Sequence, residues 1–205
     1  MDSGFRHETA IVESDRLGSG VRVYAYAHVM PGASIGDRTT LGDHVFVEGG
    51  AVIGANVTIK NGVLVWDGVT IQDDVFVGPG VVFTNDLRPR SPRSAVAANR
   101  YAEQQTWLTE TTIATGASLG ANATILPGAH VGAYAMVGAG SVVVRPVPAF
   151  ALVVGSPAQV IGHVCRCGER LRGTYCEATC AACGETPEQR TAALVSCGDR
   201  PAVRA

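Results

Sequence analysis

Residues 41–82 read, in groups of six, LGDHVF VEGGAV IGANVT IKNGVL VWDGVT IQDDVF VGPGVV. The first residue of every group is large and apolar, and the fifth is Val or Ala. A period of six drifts around an α-helix, whereas a short strand followed by a bend can repeat at this interval. The stretch therefore predicts short strands joined by bends, with two inward-pointing positions in each repeat.

The same pattern extends along most of the chain. Thirteen successive first positions from Ile11 to Phe83 are large apolar residues, and the spacing returns from Ile113 to Val143. Three six-residue repeats close a triangular coil of 18 residues, and successive coils stack through parallel hydrogen bonds about 4.8 Å apart. The predicted fold is an all-β, parallel β-helix of hexapeptide repeats, and a β-sandwich with frequent turns is the alternative.

The bulk composition excludes several classes of protein. The chain of 205 residues is 46% hydrophobic and 17% charged, with a formal net charge of −2, so it has no excess positive charge for binding nucleic acid. It contains no run of about 18 apolar residues that could span a bilayer, and its amino terminus, MDSGFRHETA, does not resemble a secretory signal. We therefore expect a cytoplasmic protein with no membrane partner.

Vertical stacking predicts a polar corner. Residues one coil apart are neighbours, so Asp67 is expected directly below Asn85, although either residue alone could merely cap a turn. A stretch without the period, residues 86–112, leaves the helix at this same corner and is expected to be functional or to support a neighbouring subunit. Its arginines offer positive charge for a phosphate. The candidate residues around the corner are His28, Glu48, Trp66, Asp67, Thr84, Asn85, Asp86, Arg88 and Arg90.

Six cysteines follow the last hexad, and all lie in the final fifth of the chain. The motifs CRCG at 165–168 and CAACG at 180–184 form two knuckles, a spacing that suits a structural Zn²⁺ site of Cys165, Cys167, Cys180 and Cys183. Disulfides or free thiols are the alternative; Cys176 could replace one ligand, and Cys197 is expected to be free. The predicted organisation is a β-helix domain at 1–162, a zinc-ribbon-like appendage at 163–185 and a mobile tail at 186–205.

The repeats LGSGVR, IGDRTT, LGDHVF, IGANVT, LGANAT and VGAYAM resemble the [LIV]-G-x-x-[STAV]-x signature of the hexapeptide-repeat transferases. That resemblance implies a left-handed coil. It also implies a homotrimer, with the ligand cleft between neighbouring subunits.

A narrower resemblance is carried by residues 59–91, IKNGVLVWDGVTIQDDVFVGPGVVFTNDLRPRS. The words WDG at 66–68, DDVFVGP at 73–79 and FTND at 83–86, followed by PRS, are similar to the nucleotide-sugar N-acetyltransferases that acetylate dTDP-linked 3-amino-3,6-dideoxyhexoses. The similarity runs from about His7 through VVGSPAQVIG at 153–162. The related enzymes for UDP-linked 3-amino glucuronic acids are the second possible acceptor class.

This resemblance implies acetyl-CoA as the donor and a nucleotide-linked amino sugar as the acceptor. We expect direct attack of the amine on the thioester, with Asn85 orienting the amine, Asp67 binding the ammonium form and His28 as the candidate base. The implied donor groove is lined by residues that could also serve only as tight turns: Gly138, Ala139, Ser141, Gly155, Ser156 and Pro157.

Two functions of other classes compete with acetyl transfer. A metallohydratase of the carbonic anhydrase kind needs histidines grouped at the cleft, but His28 and His44 are 16 residues apart rather than 18 and would not stack. A noncatalytic scaffold is the other alternative, and binding of acetyl-CoA would distinguish it from an enzyme.

Overall fold

The computed structural model describes residues 4–196. Within them the chain winds into a β-helix with three parallel sheets, one on each side of a triangular coil, which we call faces A, B and C. Strands are numbered in chain order. Face A stacks β1 (Phe5–Arg6), β3 (Arg22–Val23), β6 (Thr40–Leu41), β9 (Thr58–Ile59), β12 (Phe76–Val77), β15 (Ser118–Leu119), β18 (Met136–Val137), β20 (Ala151–Val154) and β21 (Gln159–His163). Face B stacks β2 (Ile11–Val12), β4 (His28–Val29), β7 (Phe46–Val47), β10 (Leu64–Val65), β13 (Val82–Phe83), β16 (Thr124–Ile125) and β19 (Val142–Val143). Face C stacks β5 (Ser34–Ile35), β8 (Val52–Ile53), β11 (Val69–Ile71), β14 (Thr111–Ile113) and β17 (His130–Val131).

The register of the strands confirms the predicted vertical stacking. On face B, Leu64 pairs in parallel with Phe46 on one side and with Val82 on the other, in steps of one coil. First and fifth positions of the hexads point inward and form one continuous core, in which side chains such as Ile53, Val57 and Val63 are almost fully buried. Each such side chain contributes about 1.5–3 kcal/mol by leaving water.

The fourth position of the hexad adopts the left-handed backbone conformation at many corners. Glycine, Asn and Asp tolerate this conformation best, which explains their frequency in the bends. Bulkier residues also occur there, and ring stacking accompanies some of them: Tyr26 stacks on His44 with ring centroids 5.0 Å apart, and Tyr134 on Phe150 at 5.3 Å. The non-glycine residues with positive φ are Tyr26, Arg38, His44, Asn56, Asp74, Asn122, Tyr134 and Phe150.

The first coil is shorter than predicted. Val12, rather than Ile11, pairs with Val29, so this coil has 17 residues instead of 18. Ile11 pairs with His28 on the outer surface. Ile11 is 53% exposed, so the prediction that it opens the inward series is wrong. Both Ile11 and Val12 are apolar, and the period alone could not decide between them.

The non-periodic excursion leaves after Asn85 and ends at residue 110, because Thr111 and Thr112 already belong to β14 rather than to the loop. We call residues 86–110 the corner loop. It contains two short 3₁₀ helices, Ala98–Tyr101 and Gln104–Thr106. An antiparallel bridge between Asp86 and Leu108 closes its neck.

The carboxy-terminal part departs from the coil. Strand β21 turns back and pairs antiparallel with β20, and the cysteine knuckles follow.

The predicted mobile tail is wrong for residues 187–196, which form helix α1 (Pro187–Ser196) with Arg190, Ala193 and Leu194 buried. A capping box starts this helix. Gln189 Oε1 accepts from the Thr186 N–H at 2.9 Å, and Thr186 Oγ1 accepts from the Gln189 N–H at 3.4 Å. Residues 197–205, including Cys197, lie outside the described residues. No helix within residues 4–196 has the length and apolar character needed to cross a bilayer.

Candidate active site

The corner between faces B and C brings together the polar residues that the stacking predicted. Asn85 Nδ2 donates to the Asp67 carbonyl oxygen at 3.2 Å, and Glu48 Oε2 accepts from the Asp67 N–H at 2.9 Å. The backbone of Asp67 is therefore fixed from the coil below and from the coil above. All three residues are only partly buried.

The Asp67 carboxylate lies directly against a glycine of the coil below. A Cβ added to Gly50 would come within 2.1 Å of Asp67 Oδ1, and Gly50 has φ +92°. Glycine at this position therefore serves two purposes, since it permits the left-handed turn and leaves room for the carboxylate.

The corner loop returns across the same corner. Gln104 Nε2 hydrogen-bonds to Asp67 Oδ2, and the Thr109 N–H donates to the Asn85 carbonyl at 2.9 Å. Leu108 packs over Gly68, where an added Cβ would meet its side chain at 3.1 Å. Sequence reasoning did not identify Gln104, because the loop has no period from which its position could be read.

Asp86 anchors the corner loop, which corrects its assignment as a substrate-binding residue. Its carboxylate accepts from Arg100 Nη1 at 2.8 Å and Nη2 at 2.5 Å, from the Tyr101 hydroxyl at 2.7 Å and from the Arg88 N–H at 2.8 Å. The side chain of Asp86 is only 10% exposed. The hydrogen bond from Arg100 holds the pKa of this carboxyl well below its usual range. With both oxygens occupied, Asp86 maintains the loop rather than binding a ligand.

Arg88 and Arg90 remain available for a phosphate. Both are exposed and line a cavity of about 470 Å³ on the corner loop, together with Arg100 and apolar neighbours. The backbone N–H of Arg90 donates to the Tyr101 hydroxyl at 2.8 Å, which fixes this side of the loop to the Asp86 anchor. Thr84 hydrogen-bonds the Ile125 carbonyl of the next coil at 3.1 Å and is partly buried.

His28 is not brought to the corner. It lies on the outer surface of face B, where Nε2 is 2.8 Å from Glu13 Oε2 and its ring contacts Phe46 edge to face. Phe46 separates it from Trp66, whose ring centroid is 5.6 Å from that of Phe46. His28 is two coils below Leu64, about 10 Å along the helix axis, so within one subunit the structure does not support its assignment as the base at Asp67.

The predicted donor segments meet at the corner between faces A and B, near the upper end of the helix. The Gly138 N–H donates to the Val153 carbonyl, and the Val142 N–H donates to the Gly155 carbonyl, which places the two segments side by side. Exposed small residues form a ledge there: Ala139, Gly140, Gly155, Ser156 and Pro157.

Ser141 is the exception among the predicted donor residues. It occupies an inward fifth position, is fully buried, and its hydroxyl accepts from the Gly155 N–H at 3.1 Å. The assignment of Ser141 to ligand binding is therefore wrong. Its role is to hold the Gly155 turn against the coil.

The four cysteines of the two knuckles also come together. One thiol sulfur from each of Cys165, Cys167, Cys180 and Cys183 lies within 4.8 Å of the other three. Cys176 is exposed and outside this group.

The chain matches two models of hexapeptide-repeat proteins. Residues 16–49 and 50–85 match the bacterial transferase hexapeptide repeat, and residues 111–145 match the hexapeptide repeat of succinyl-transferase. The gap between the matches coincides with the corner loop.

One relative is similar over almost the full length. The dTDP-3-amino-3,6-dideoxy-alpha-D-galactopyranose 3-N-acetyltransferase of Aneurinibacillus thermoaerophilus is 45% identical over 181 residues, 88% of each chain.

The solved structures similar to this one include two acyltransferases. A variant of AntD, an N-acyltransferase from Bacillus cereus in complex with dTDP and coenzyme A, is 18% identical with a TM-score of 0.60 and covers 80% of this chain and 86% of that chain. A hexapeptide-repeat acetyltransferase from Vibrio cholerae O1 biovar eltor, complexed with acetyl-CoA, is 26% identical with a TM-score of 0.50 and covers 64% and 70%. The chain therefore belongs to the hexapeptide-repeat transferases, in the group of nucleotide-sugar N-acetyltransferases, and its fold is their left-handed parallel β-helix.

Proposed function

We propose that the protein transfers the acetyl group of acetyl-CoA to the C-3 amino group of a dTDP-linked 3-amino-3,6-dideoxyhexose. The observation that carries this proposal is the corner where Asn85 bonds Asp67 beneath the corner loop. The relative with 45% identity carries that activity in its name. The words WDG and FTND, which supply Asp67 and Asn85, lie within residues 59–91, the segment that resembles the dTDP-linked amino-sugar N-acetyltransferases.

The corner suits a substrate that carries an amino group, because it offers a negatively charged carboxylate that accepts hydrogen bonds. Asp67 Oδ1 and Oδ2 would accept from the sugar ammonium or amine, with the amine replacing Gln104 as donor to Oδ2. Arg88 and Arg90 would bind the diphosphate of the nucleotide, which carries negative charge that guanidinium groups complement. The aromatic surface of Trp66 borders the sugar site.

We propose direct attack without a covalent enzyme intermediate. The neutral amine attacks the thioester carbonyl carbon, the tetrahedral intermediate collapses with cleavage of the C–S bond, and the coenzyme A thiolate leaves. The proton lost by the amine nitrogen ends on the departing sulfur, directly or through water. Asn85 and Asp67 act by orienting the amine, and the rate gain comes from positioning.

The donor would cross face B. Its adenine end would rest beside Gly138 on the ledge of Ala139, Gly140 and the Gly155–Pro157 turn, and its thioester would reach the corner at Asn85. In strand order, the ledge lies two coils above Val82, about 10 Å along the axis. Acetyl-CoA bound by the similar Vibrio cholerae enzyme supports this choice of donor.

The active form would be a homotrimer of three copies, in which face B of each subunit is covered by a neighbouring copy. Phe46, Leu64 and Val82 form a vertical apolar ridge on its outer surface, and Leu64 and Val82 are 41% and 48% exposed. A contiguous apolar ridge beside a polar corner is typical of a subunit interface. Each ligand cleft would then lie between two subunits.

We place the reaction in the cytoplasm. A reducing compartment would keep the knuckle cysteines as the thiols that a metal site requires.

The test is a panel of dTDP- and UDP-linked amino sugars, with coenzyme A release as the readout. We expect the dTDP-linked 3-amino sugars to be acetylated fastest. Asn85→Ala should lower turnover on the order of 10²-fold, the effect of a mispositioned reacting group. Asn61→Ala is the matched control, because Asn61 makes a similar bond to the coil below, to Asp43 at 3.2 Å, at another corner. Near-normal turnover of Asn85→Ala, or no binding of acetyl-CoA by the wild type, would contradict the proposal.

A further inference from the structure

We propose that Cys165, Cys167, Cys180 and Cys183 bind one Zn²⁺ ion in a tetrahedral, structural site that fastens helix α1 and the knuckles to the side of the β-helix. This site is independent of the acetyl-transfer proposal, because its residues lie at the corner between faces C and A and not at Asp67.

The sulfur distances fit a metal centre and not a pair of disulfides. Cys165 Sγ is 3.6 Å from Cys183 Sγ, and Cys167 Sγ is 3.7 Å from Cys180 Sγ. Zinc–sulfur bonds of about 2.3 Å set the edges of a tetrahedron at about 3.8 Å, whereas a disulfide needs about 2.05 Å. Two of the sulfur–sulfur distances therefore match an edge of that tetrahedron, and all four sulfurs lie within 4.8 Å of one another.

Two backbone turns present these thiols, one closed over three residues and the other over four. The Gly168 N–H donates to the Cys165 carbonyl and the Gly184 N–H donates to the Cys180 carbonyl, both at 2.9 Å. Gly168 and Gly184 have φ +89° and +75°, values that favour glycine at the end of each turn. The two motifs, far apart in sequence, thus form the paired knuckles of a four-sulfur site.

Two arginines and one carboxylate lie beside the cluster: Glu185 Oε2 is 2.8 Å from Cys165 Sγ, and this carboxylate is paired with Arg166 and Arg190. Arg190 is fully buried, and its Nη1 lies 3.7 Å from Cys165 Sγ. The same guanidinium donates to the carbonyls of Tyr175, Glu185 and Ala178, so it joins the segments that carry the knuckles. A buried cation beside metal-bound sulfur stabilises the thiolate form.

The appendage lacks an apolar core of its own. Its buried cluster consists of Cys165, Leu171 and Cys180, with only Tyr175 and Ala178 packed against it. Two of the three buried members are thus proposed ligands. A segment this small needs a metal to fold stably.

The metal would hold a docking surface in place. The ring of Tyr175 stacks on Phe150 with centroids 5.2 Å apart, and Leu194 of α1 is fully buried against Phe150, Ala114 and Ala133. These contacts join the appendage to corner residues of the β-helix. Loss of the metal would release α1 from that surface.

The experiment measures the metal content of the full chain purified without a metal-binding tag. We expect about one zinc per chain in the wild type and in Cys176→Ser, which changes a cysteine outside the cluster, and loss of zinc in Cys167→Ser. Wild-type protein without zinc, or Cys167→Ser with full zinc, would overturn the site.

A second measurement covers the case in which Cys167→Ser does not fold. The wild-type chain is stripped with a chelator and reloaded with Co²⁺, and the charge-transfer and d–d absorption of a tetrahedral cobalt–thiolate centre should develop to one ion per chain. Absence of these bands overturns the site.

Hydrogen exchange of the stripped and zinc-loaded chains then tests the fastening role. We expect removal of zinc to speed exchange in residues 163–196 and to leave the coils of residues 41–83 unchanged. Equal exchange in both forms would overturn the fastening role.

Discussion

Replacing Gly50 by alanine tests whether the position of the Asp67 carboxylate governs activity. The new Cβ would lie 2.1 Å from Asp67 Oδ1, so the oxygen has to move by about 1 Å or more to reach an ordinary contact. The backbone of Asp67 cannot follow, because Glu48 and Asn85 hold its N–H and C=O. The side chain alone must therefore rotate away.

The expected magnitude has two parts. Alanine at φ +92° lowers the free energy of unfolding by about 1–2 kcal/mol through backbone strain. Displacing a substrate-positioning group by about 1 Å lowers kcat/KM on the order of 10²-fold, or about 2.7 kcal/mol in the activation barrier.

Gly62→Ala separates the two parts. Gly62 also has a positive φ, +72°, and nothing lies within 4 Å of its added Cβ, so this variant carries backbone strain of the same kind without the collision. Urea unfolding at equal protein concentration should show similar losses of stability for both variants. Coenzyme A release, measured with enzyme far below substrate, should fall only in Gly50→Ala. Equal activities in the two variants would refute the role given to Asp67.

Four further outcomes follow from other parts of the structure. In Asp86→Asn, trypsin should cleave the corner loop several-fold faster than in the wild type while the coils stay protected, because the variant loses the charge that Arg100 binds. An unchanged cleavage rate would contradict the anchoring role of Asp86. In the wild type, the depressed pKa of Asp86 means that the anchor is present above the ordinary aspartate pKa of about 3.9 and is lost only as pH falls through the lower folded value. Loop protection should therefore be constant between about pH 5 and about pH 8 in a proteolysis series, and a loss within that window would contradict the assignment. Val82→Asp should dissociate the proposed trimer in analytical ultracentrifugation, whereas Val52→Asp, a change of a face C residue that is 46% exposed, should leave the assembly intact; the reverse pattern would move the interface to face C. His28→Asn should lower turnover by far less than the ~10²-fold expected for loss of a general base, and a full loss would restore His28 as a base supplied across an interface.

The sequence predicts the coil well because the six-residue period is set by burial, which is local and repeated. Once the coil length is known, vertical neighbours follow, and the contact between Asp67 and Asn85 is an example. The same rule also excludes Ser141 from ligand binding, since a fifth position points inward. Its assignment to the donor groove gave too much weight to family resemblance.

The remaining errors concern segments where the period is absent or ambiguous. Ile11 and Val12 are both apolar, so only the three-dimensional register identifies the inward residue. The partners of Asp86 are 14 and 15 residues away in a loop without repeats. The T-P-E-Q sequence at 186–189 indicates the start of helix α1. It has a capping threonine, proline at the first helical position and glutamine at the third.

The reversal of β21 protects one end of the molecule from polymerisation. A parallel helix that stopped after β20 would leave a row of unpaired N–H and C=O groups, a template for adding coils from another molecule. Strand β21 fills that row in the opposite direction, and Arg170 then donates to the Ile161 carbonyl on the strand at 2.9 Å. A charged side chain at an exposed strand edge discourages further pairing. Growth of face A at this end therefore stops within one chain.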